Sequence, residues 1–415
     1  MKTRRDFLKE VGISGGFLFL SGNEVFSGLH NSKRGIVSEL KPTDAETGNL
    51  YPFMEALAEK SDFSLSFLTR KYNSVEEFRK IAREKFFELL HYRPENVDFN
   101  PEVVERIDKG DYIREKVYFN TSPIFRVPAY VLIPKNIKGK LPAVIDLHSH
   151  GGFYQFGKEK VIEYENEHPS VLNYKKENYG GRSDSIALVK SGYVVISIDA
   201  FYFGERRVIF DEDIELGEKP IPELSVEEVK YLNRKAAEGE TAVAKCLTLA
   251  GVTWPGIIIW DDIRTVDYLC TRPEVDPERI GCWGLSMGGF RTTHLCGLDE
   301  RIKCAVIAGF MSSYTPMLKA HILTHTWINY VPGFYKYLDF PDVASIMVPK
   351  PLMVQHCSKD DLFPLEGMKA SSDKIAEIYR LNNAADKFES RFFDRPHMFS
   401  EEMQEIALEW MEKWL

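Results

Sequence analysis

The chain offers no cysteine spacing suited to zinc. Its six cysteines (Cys246, Cys270, Cys282, Cys296, Cys304 and Cys357) include no C-x-x-C pair, and several lie in apolar runs that suit small core residues better than disulfides. A basic excess is also missing. Lysine and arginine number 53 against 62 acidic residues, a formal charge of −9, which excludes the positive surface that nucleic-acid binding requires. Beyond the N-terminus no apolar stretch is long and charge-free enough to cross a bilayer. Internal repeats and low-complexity tracts are absent. What is present is ample core material: 44% hydrophobic and 13% aromatic residues over 415 positions, enough for one large α/β domain with elaborations or for two domains.

The opening "MKTRRDFLKEVGISGGFLFLSG" sets Arg4-Arg5 ahead of Phe7-Leu8-Lys9 and a short glycine-containing apolar segment. The order resembles a twin-arginine export signal, an address read by a receptor rather than an anchor. Residues 1–28 are therefore expected to be the signal, cleaved after Ser27 with Val25 and Ser27 as its small residues. No cysteine lies there to carry a lipid, so the mature protein is expected in the bacterial periplasm or outside the cell, with no membrane anchor.

Residues 29–111 read as an N-terminal extension. "SVEEFRKIAREKFFELLHYRP" has Phe78, Ile81, Phe86, Leu89 and Leu90 near helical spacing, and Ser74 with Glu77 forms a capping box. From residue 112 strands take over. "REKVYFNTS" and "RVPAYVLIP" suggest an antiparallel pair, and "LPAVIDLHSHGG" and "GYVVISIDAFYFGERR" suggest buried strands ending in loops. Helices and strands then alternate to the C-terminus, which predicts a mostly parallel sheet covered on both faces over 112–415. Residues 206–256 break the alternation with charged, irregular sequence. A loop that long is uncommon in a compact domain, so a small helical insertion beside the ligand crevice is expected.

Gly284-Leu285-Ser286-Met287-Gly288 fits G-x-S-x-G between a predicted strand and a predicted helix. Small neighbours let the backbone bend sharply, and the helix that follows aims its amino end at the serine. A serine hydroxyl needs a base, and imidazole titrates near neutral pH. His397 in "FFDRPHMFS", after the last predicted strand, is the candidate base. "CSKDDLFP" supplies the acid: Asp360 is preferred, three residues beyond Cys357, with Asp361 as its alternative. The order Ser, Asp, His is the one this kind of elbow leads to expect. His148-x-His150 has the spacing of a metal pair, but no second cluster has ligand spacing, so neither metal nor cofactor is expected. His294 and His356 read as packed histidines.

"GLSMGG", "CSKDDLFP", "RPHMFS", "DLHSHGG", "DAFYFGERR" and "WDDIRTVDYLCTRPEVDPERIG" occur in an order that resembles the α/β-hydrolases, in particular the acetyl xylan esterase and dienelactone hydrolase branch. The resemblance implies an α/β-hydrolase fold and an oxyanion hole from the N–H of Met287 and that of His150 or Gly151. Ser149 departs from the glycine usual in that loop. The resemblance also implies that Asp199, Tyr202, Glu205 and Arg206 line or support the substrate pocket; a salt-bridged turn tying the insertion to the core is the other reading. Trp254 and Trp260 suit either sugar stacking or core packing.

Together these features and the resemblance predict an exported serine carboxylesterase that acts on small acyl esters of carbohydrate, acetyl groups on xylan above all, without a cofactor. A lactone hydrolase or short-peptide peptidase of the same fold is the nearest alternative, although the elbow carries serine where dienelactone enzymes carry cysteine. A binding protein that kept the fold and lost turnover, and a metallohydrolase, are alternatives of other classes. The number of copies in an assembly stays open.

Overall fold

The computed structural model describes residues 42–135 and 137–415. The expected export signal, residues 1–28, lies outside the described residues. Two helices come first, α1 (Tyr51–Glu59) and α2 (Val75–Leu90). The Ser74 hydroxyl accepts the Glu77 N–H at 3.2 Å, half of the expected capping box. The other half is displaced by one residue, because the Glu77 carboxylate takes the N–H of Asn73 at 2.7 Å. Phe78, Phe86, Leu89 and Leu90 are buried in the main core, so the helical spacing read from the sequence faces the domain.

The sheet starts earlier than residue 112. Strand β1 (Glu102–Asp108) pairs antiparallel with β2 (Tyr112–Ser122), which pairs antiparallel with β3 (Phe125–Pro134). β1 is a sheet edge carrying Glu102, Glu105, Arg106 and Asp108, charges that discourage further pairing but also hide the strand from an alternation test. The chain continues through β4 (Leu141–Leu147), α3 (Pro169–Asn178), α4 (Ser185–Lys190) and β5 (Val194–Ile198). The insertion follows, dominated by a 24-residue helix, α5 (Val226–Leu249), with a reciprocal capping box between Ser225 and Glu228. Helix α6 (Trp254–Thr271), strand β6 (Val275–Leu285), helix α7 (Met287–Leu298) and strand β7 (Ile302–Ala308) form the centre. A long irregular connection leads to α8 (Phe340–Ser345), β8 (Leu352–Cys357), α9 (Leu365–Leu381), β9 (Phe388–Phe393) and α10 (Glu401–Trp414).

Among the described residues nine strands form one sheet in the order β1-β2-β3-β5-β4-β6-β7-β8-β9. From β5 to β9 every pairing is parallel, and β4 and β5 exchange places relative to the sequence. The central strands are buried on both faces, as their unbroken apolar runs require. In such a sheet ligands bind beyond the carboxyl ends of the strands. Loops leave those ends at Leu147, Leu285, Ala308, Cys357 and Phe393. Four of the six cysteines are buried and none is paired.

Candidate active site

Ser286 sits between the end of β6 and the first residue of α7 with φ 60° and ψ −117°. A side chain seldom adopts such a backbone, and holding it there costs about 1–3 kcal/mol. The neighbouring glycines explain how the bend is accommodated. A Cβ on Gly288 would lie 1.8 Å from the carbonyl oxygen of Leu147, and one on Gly284 would lie 2.5 Å from the same atom. The turn is thus pressed against the end of β4, and only backbone fits between. The Ser286 N–H donates to the Ala308 carbonyl at 2.9 Å, and the Ser286 carbonyl accepts from Phe290 at 2.8 Å. Both bonds fix the turn while the amino end of α7 faces the serine, with Met287 as its first residue.

His397 lies in the loop between β9 and α10, and its Nδ1 is 2.6 Å from Oδ2 of Asp360. The Asp360 side chain is fully buried, and its Oδ1 accepts the N–H of Leu362 at 2.9 Å. Asp361 is exposed to solvent, so of the two adjacent acids Asp360 is the one that meets the histidine. With a proton on Nδ1 shared toward the carboxylate, Nε2 presents its lone pair. Ser286 and His397 line one cavity of about 200 Å³. Among the described residues the His397 ring is hydrogen-bonded to Asp360 alone, so its bond to the serine is open in this structure. Such contacts commonly close only around substrate. His325 shares the cavity, and burial, reinforced by His321 and His397, pushes its imidazole down to about 4. It is therefore uncharged at neutral pH.

The loop after β4 forms the opposite wall. Ser149 is buried; its N–H donates to the Tyr179 hydroxyl at 3.1 Å, and its Oγ meets the hydroxyls of Tyr174 at 2.6 Å and Tyr179 at 2.9 Å. This is how a serine replaces the expected glycine without disturbing the loop. Gly151 has φ 59°, and a Cβ there would lie 2.2 Å from the Tyr174 hydroxyl. The Gly152 N–H donates to Nδ1 of His150 at 2.9 Å, leaving the N–H groups of His150 and Gly151 without protein acceptors among the described residues. Nε2 of His150 then donates to Oε1 of Glu240 on α5 at 3.1 Å. Tyr154 at 3.0 Å and Thr326 at 2.8 Å donate to that same oxygen. Burial would raise the Glu240 carboxyl, but these three donors outweigh it and hold the group below its ordinary value. His148 is engaged at both nitrogens: Nε2 accepts from the Ala200 N–H at 3.1 Å, and Nδ1 meets the Ser149 carbonyl at 3.0 Å. It thus has no free nitrogen for the ion that the His148-x-His150 spacing suggested.

The "DAFYFGERR" residues lie elsewhere. None of Asp199, Tyr202, Glu205, Arg206 or Trp260 lines the cavity at Ser286, which corrects their expected place in the pocket. Asp199 and Glu205 take the buried Nζ of Lys158 at 2.8 and 2.7 Å, and Glu159 joins at 2.8 Å. These three carboxylates are close enough to share a cation, and the lysine ammonium occupies that place. Arg206 bridges the Asp199 carbonyl and Asp261, the Tyr202 hydroxyl donates to the Ala236 carbonyl on α5, and Trp260 Nε1 donates to the Thr121 carbonyl. The salt-bridged turn is the arrangement found. Burial opposes charge on Lys158, yet the carboxylates outweigh it and hold the ammonium well above its usual range. Lys158→Met would leave these acids uncompensated, so we expect a loss of about 3–5 kcal/mol of stability in urea unfolding.

The cavity also uses residues that no motif marked. Thr324, His325, Thr326 and Asn329 come from the irregular connection after β7, and Tyr174 and Asn178 come from α3. Leu285, Phe310, Leu362 and Phe363 provide its apolar part.

A mostly parallel sheet with a strained serine at the β6–α7 turn, and an acid and a histidine from later strand ends, defines an α/β-hydrolase fold. Comparisons with known proteins agree on that fold. The prolyl oligopeptidase family matches residues 254–412, and an abhydrolase family matches residues 45–215. The chain is 27% identical over 338 residues to YtaP of Bacillus subtilis (strain 168), a provisionally assigned hydrolase, covering 81% of this chain and 100% of YtaP. A provisionally assigned acetyl xylan esterase from Bacteroides fragilis superposes with TM-score 0.64 at 19% identity, covering 83% of this chain and 82% of its own. A glucuronoyl esterase from Solibacter usitatus superposes with TM-score 0.56 at 13% identity, covering 84% and 96%.

Proposed function

We propose that this protein is a serine carboxylesterase. The observation that carries the reading is the buried Asp360–His397 pair on the same small cavity as a serine held at positive φ. Ser286 Oγ attacks the ester carbonyl while Nε2 of His397 takes its proton, and Asp360 keeps the ring in the tautomer that can do so. The N–H of Met287, with that of His150 or Gly151, receives the oxyanion. His397 returns the proton to the departing alcohol, and water then releases the acyl group by the same route. The chemistry requires no cofactor.

The substrate we propose is a small acyl ester of a carbohydrate. A cavity of about 200 Å³ with an apolar part suits an acetyl group, and Thr324, Thr326 and Asn329 offer partners to hydroxyls. The acetyl xylan and glucuronoyl esterases that share the fold point in the same direction. The Arg4-Arg5 segment supports export to the periplasm, where such substrates arrive. The match to the prolyl oligopeptidase family favours a short-peptide peptidase as the second reading.

The test is a hydrolysis panel of acetylated xylan, acetylated monosaccharides, methyl glucuronate esters, p-nitrophenyl esters from acetyl to octanoyl and short peptide amides, with a fluorophosphonate probe in parallel. Labelling at Ser286 and a fall of roughly tenfold or more from acetyl to octanoyl are expected, since extra methylenes must be fitted into a cavity of only about 200 Å³. Amide cleavage faster than ester cleavage would favour the peptidase, and an unlabelled serine would favour a binding protein. Export is tested separately by locating the protein in cells carrying Arg4-Arg5→Lys-Lys.

A further inference from the structure

Two buried lysines flank Glu159, and they are satisfied in opposite ways. Lys158 is held by three carboxylates. Lys160 has no carboxylate within salt-bridge distance among the described residues; its Nζ donates to two backbone carbonyls, those of Ser149 at 2.8 Å and His150 at 2.9 Å. Aromatic rings also stand beside it, with Nζ 4.6 Å from the centre of the Phe203 ring and 5.4 Å from that of Tyr174. Burial pushes this amine well below its usual range, and Asp199 and Glu159, which make no ion pair with it, offset that only in part.

The identity of the two acceptors gives this lysine a meaning. A carbonyl and the next residue's N–H belong to one rigid peptide plane. The Ser149 carbonyl shares its plane with the His150 N–H, and the His150 carbonyl shares its plane with the Gly151 N–H. These are the two amides of the loop that have no protein acceptor. We infer that Lys160 is a positioning residue for the oxyanion hole: by gripping the far ends of both peptide planes it aims their N–H groups into the cavity and polarises them. Hydrogen bonds in such a chain strengthen one another, so donation to the carbonyl makes the N–H of the same plane a better donor. Two N–H bonds suffice for the grip, and both the ammonium and the neutral amine possess them. The inference rests on the esterase reading above, because an oxyanion hole has work only if Ser286 is acylated.

The experiment compares wild type with Lys160→Met, Lys160→Gln and Ser286→Ala on p-nitrophenyl acetate, with thermal unfolding of each. Methionine fits the aromatic box and removes both donors, whereas glutamine keeps an N–H₂ that can reach a carbonyl. We expect kcat of the methionine variant to fall about 10–100-fold, the scale of a slightly misplaced catalytic group, with KM within about threefold. The glutamine variant should recover part of kcat. The unfolding temperature of the methionine variant should stay level or rise, since a buried amine is being replaced by an apolar chain. A merely structural lysine would instead lower unfolding temperature and activity together, and that result overturns the inference. So does kcat within twofold of wild type in the methionine variant while Ser286→Ala is inactive, in which case the esterase reading survives. Activity undiminished in Ser286→Ala removes that reading itself. Should the methionine variant fail to fold, the glutamine variant decides by the same split between kcat and unfolding temperature.

Discussion

Ser286→Ala is expected to lower kcat/KM for acetyl esters by roughly 10⁴–10⁶, the range over which removal of a nucleophile leaves only the contribution of binding and oxyanion stabilisation. The fold should survive. Among the described residues the hydroxyl makes no hydrogen bond; the turn is fixed by the backbone bonds to Ala308 and Phe290. Alanine bears the same positive φ as serine and no larger side chain, so the strain of the bend is unchanged. Matching urea-unfolding curves, together with loss of turnover and of fluorophosphonate labelling, would separate a missing nucleophile from a damaged protein. Retained hydrolysis at a comparable rate would reject the mechanism.

Asp360→Asn is expected to cost about 10³–10⁴ in kcat, with a smaller effect on KM. The amide nearly matches the carboxylate in shape and can still accept the Leu362 N–H. What changes is the proton on the ring. An amide N–H₂ facing Nδ1 invites that nitrogen to accept, which leaves the proton on Nε2, where a base must have none. It also withdraws the charge that stabilises the imidazolium formed during attack. Asp361→Asn is the matched control: that side chain is exposed, and the same change there should leave kcat within about twofold. Equal losses from the two variants would rule out Asp360 as the partner that orients His397.

Much of the site was legible because its residues sit where the chain changes direction. Ser286 follows β6 at once, and Asp360 and His397 lie in the short loops after β8 and β9. β6 and β8 announce themselves as buried apolar runs, whereas β9, half-exposed, is marked only by its place in the alternation. The glycines were legible as well, since only a close backbone approach requires Gly284, Gly288 and Gly289 in one turn. The pocket walls were not. Thr324 to Asn329 belong to a connection without periodicity, and its path depends on the aromatic packing beneath it. For Asp199 the pocket and the salt-bridged turn both stood open, because its partner, Lys158, lies 41 residues away in sequence and nothing local signals a lysine buried among acids. β1 was missed because an exposed, charged edge carries no alternation. The insertion looked irregular because α5 has a mostly solvated surface, although the Ser225–Glu228 cap was there to be read.

Residues 216–253, which contain α5, fall between the two regions that the families match. Yet one oxygen of Glu240, on that helix, receives His150, Tyr154 and Thr326 together. The insertion is therefore soldered through one carboxylate oxygen to the loop after β4 and to the connection after β7. A cap transplanted from another hydrolase must bring an acceptor to that spot. Without one, the His150 imidazole and the wall beside the serine lose their common anchor.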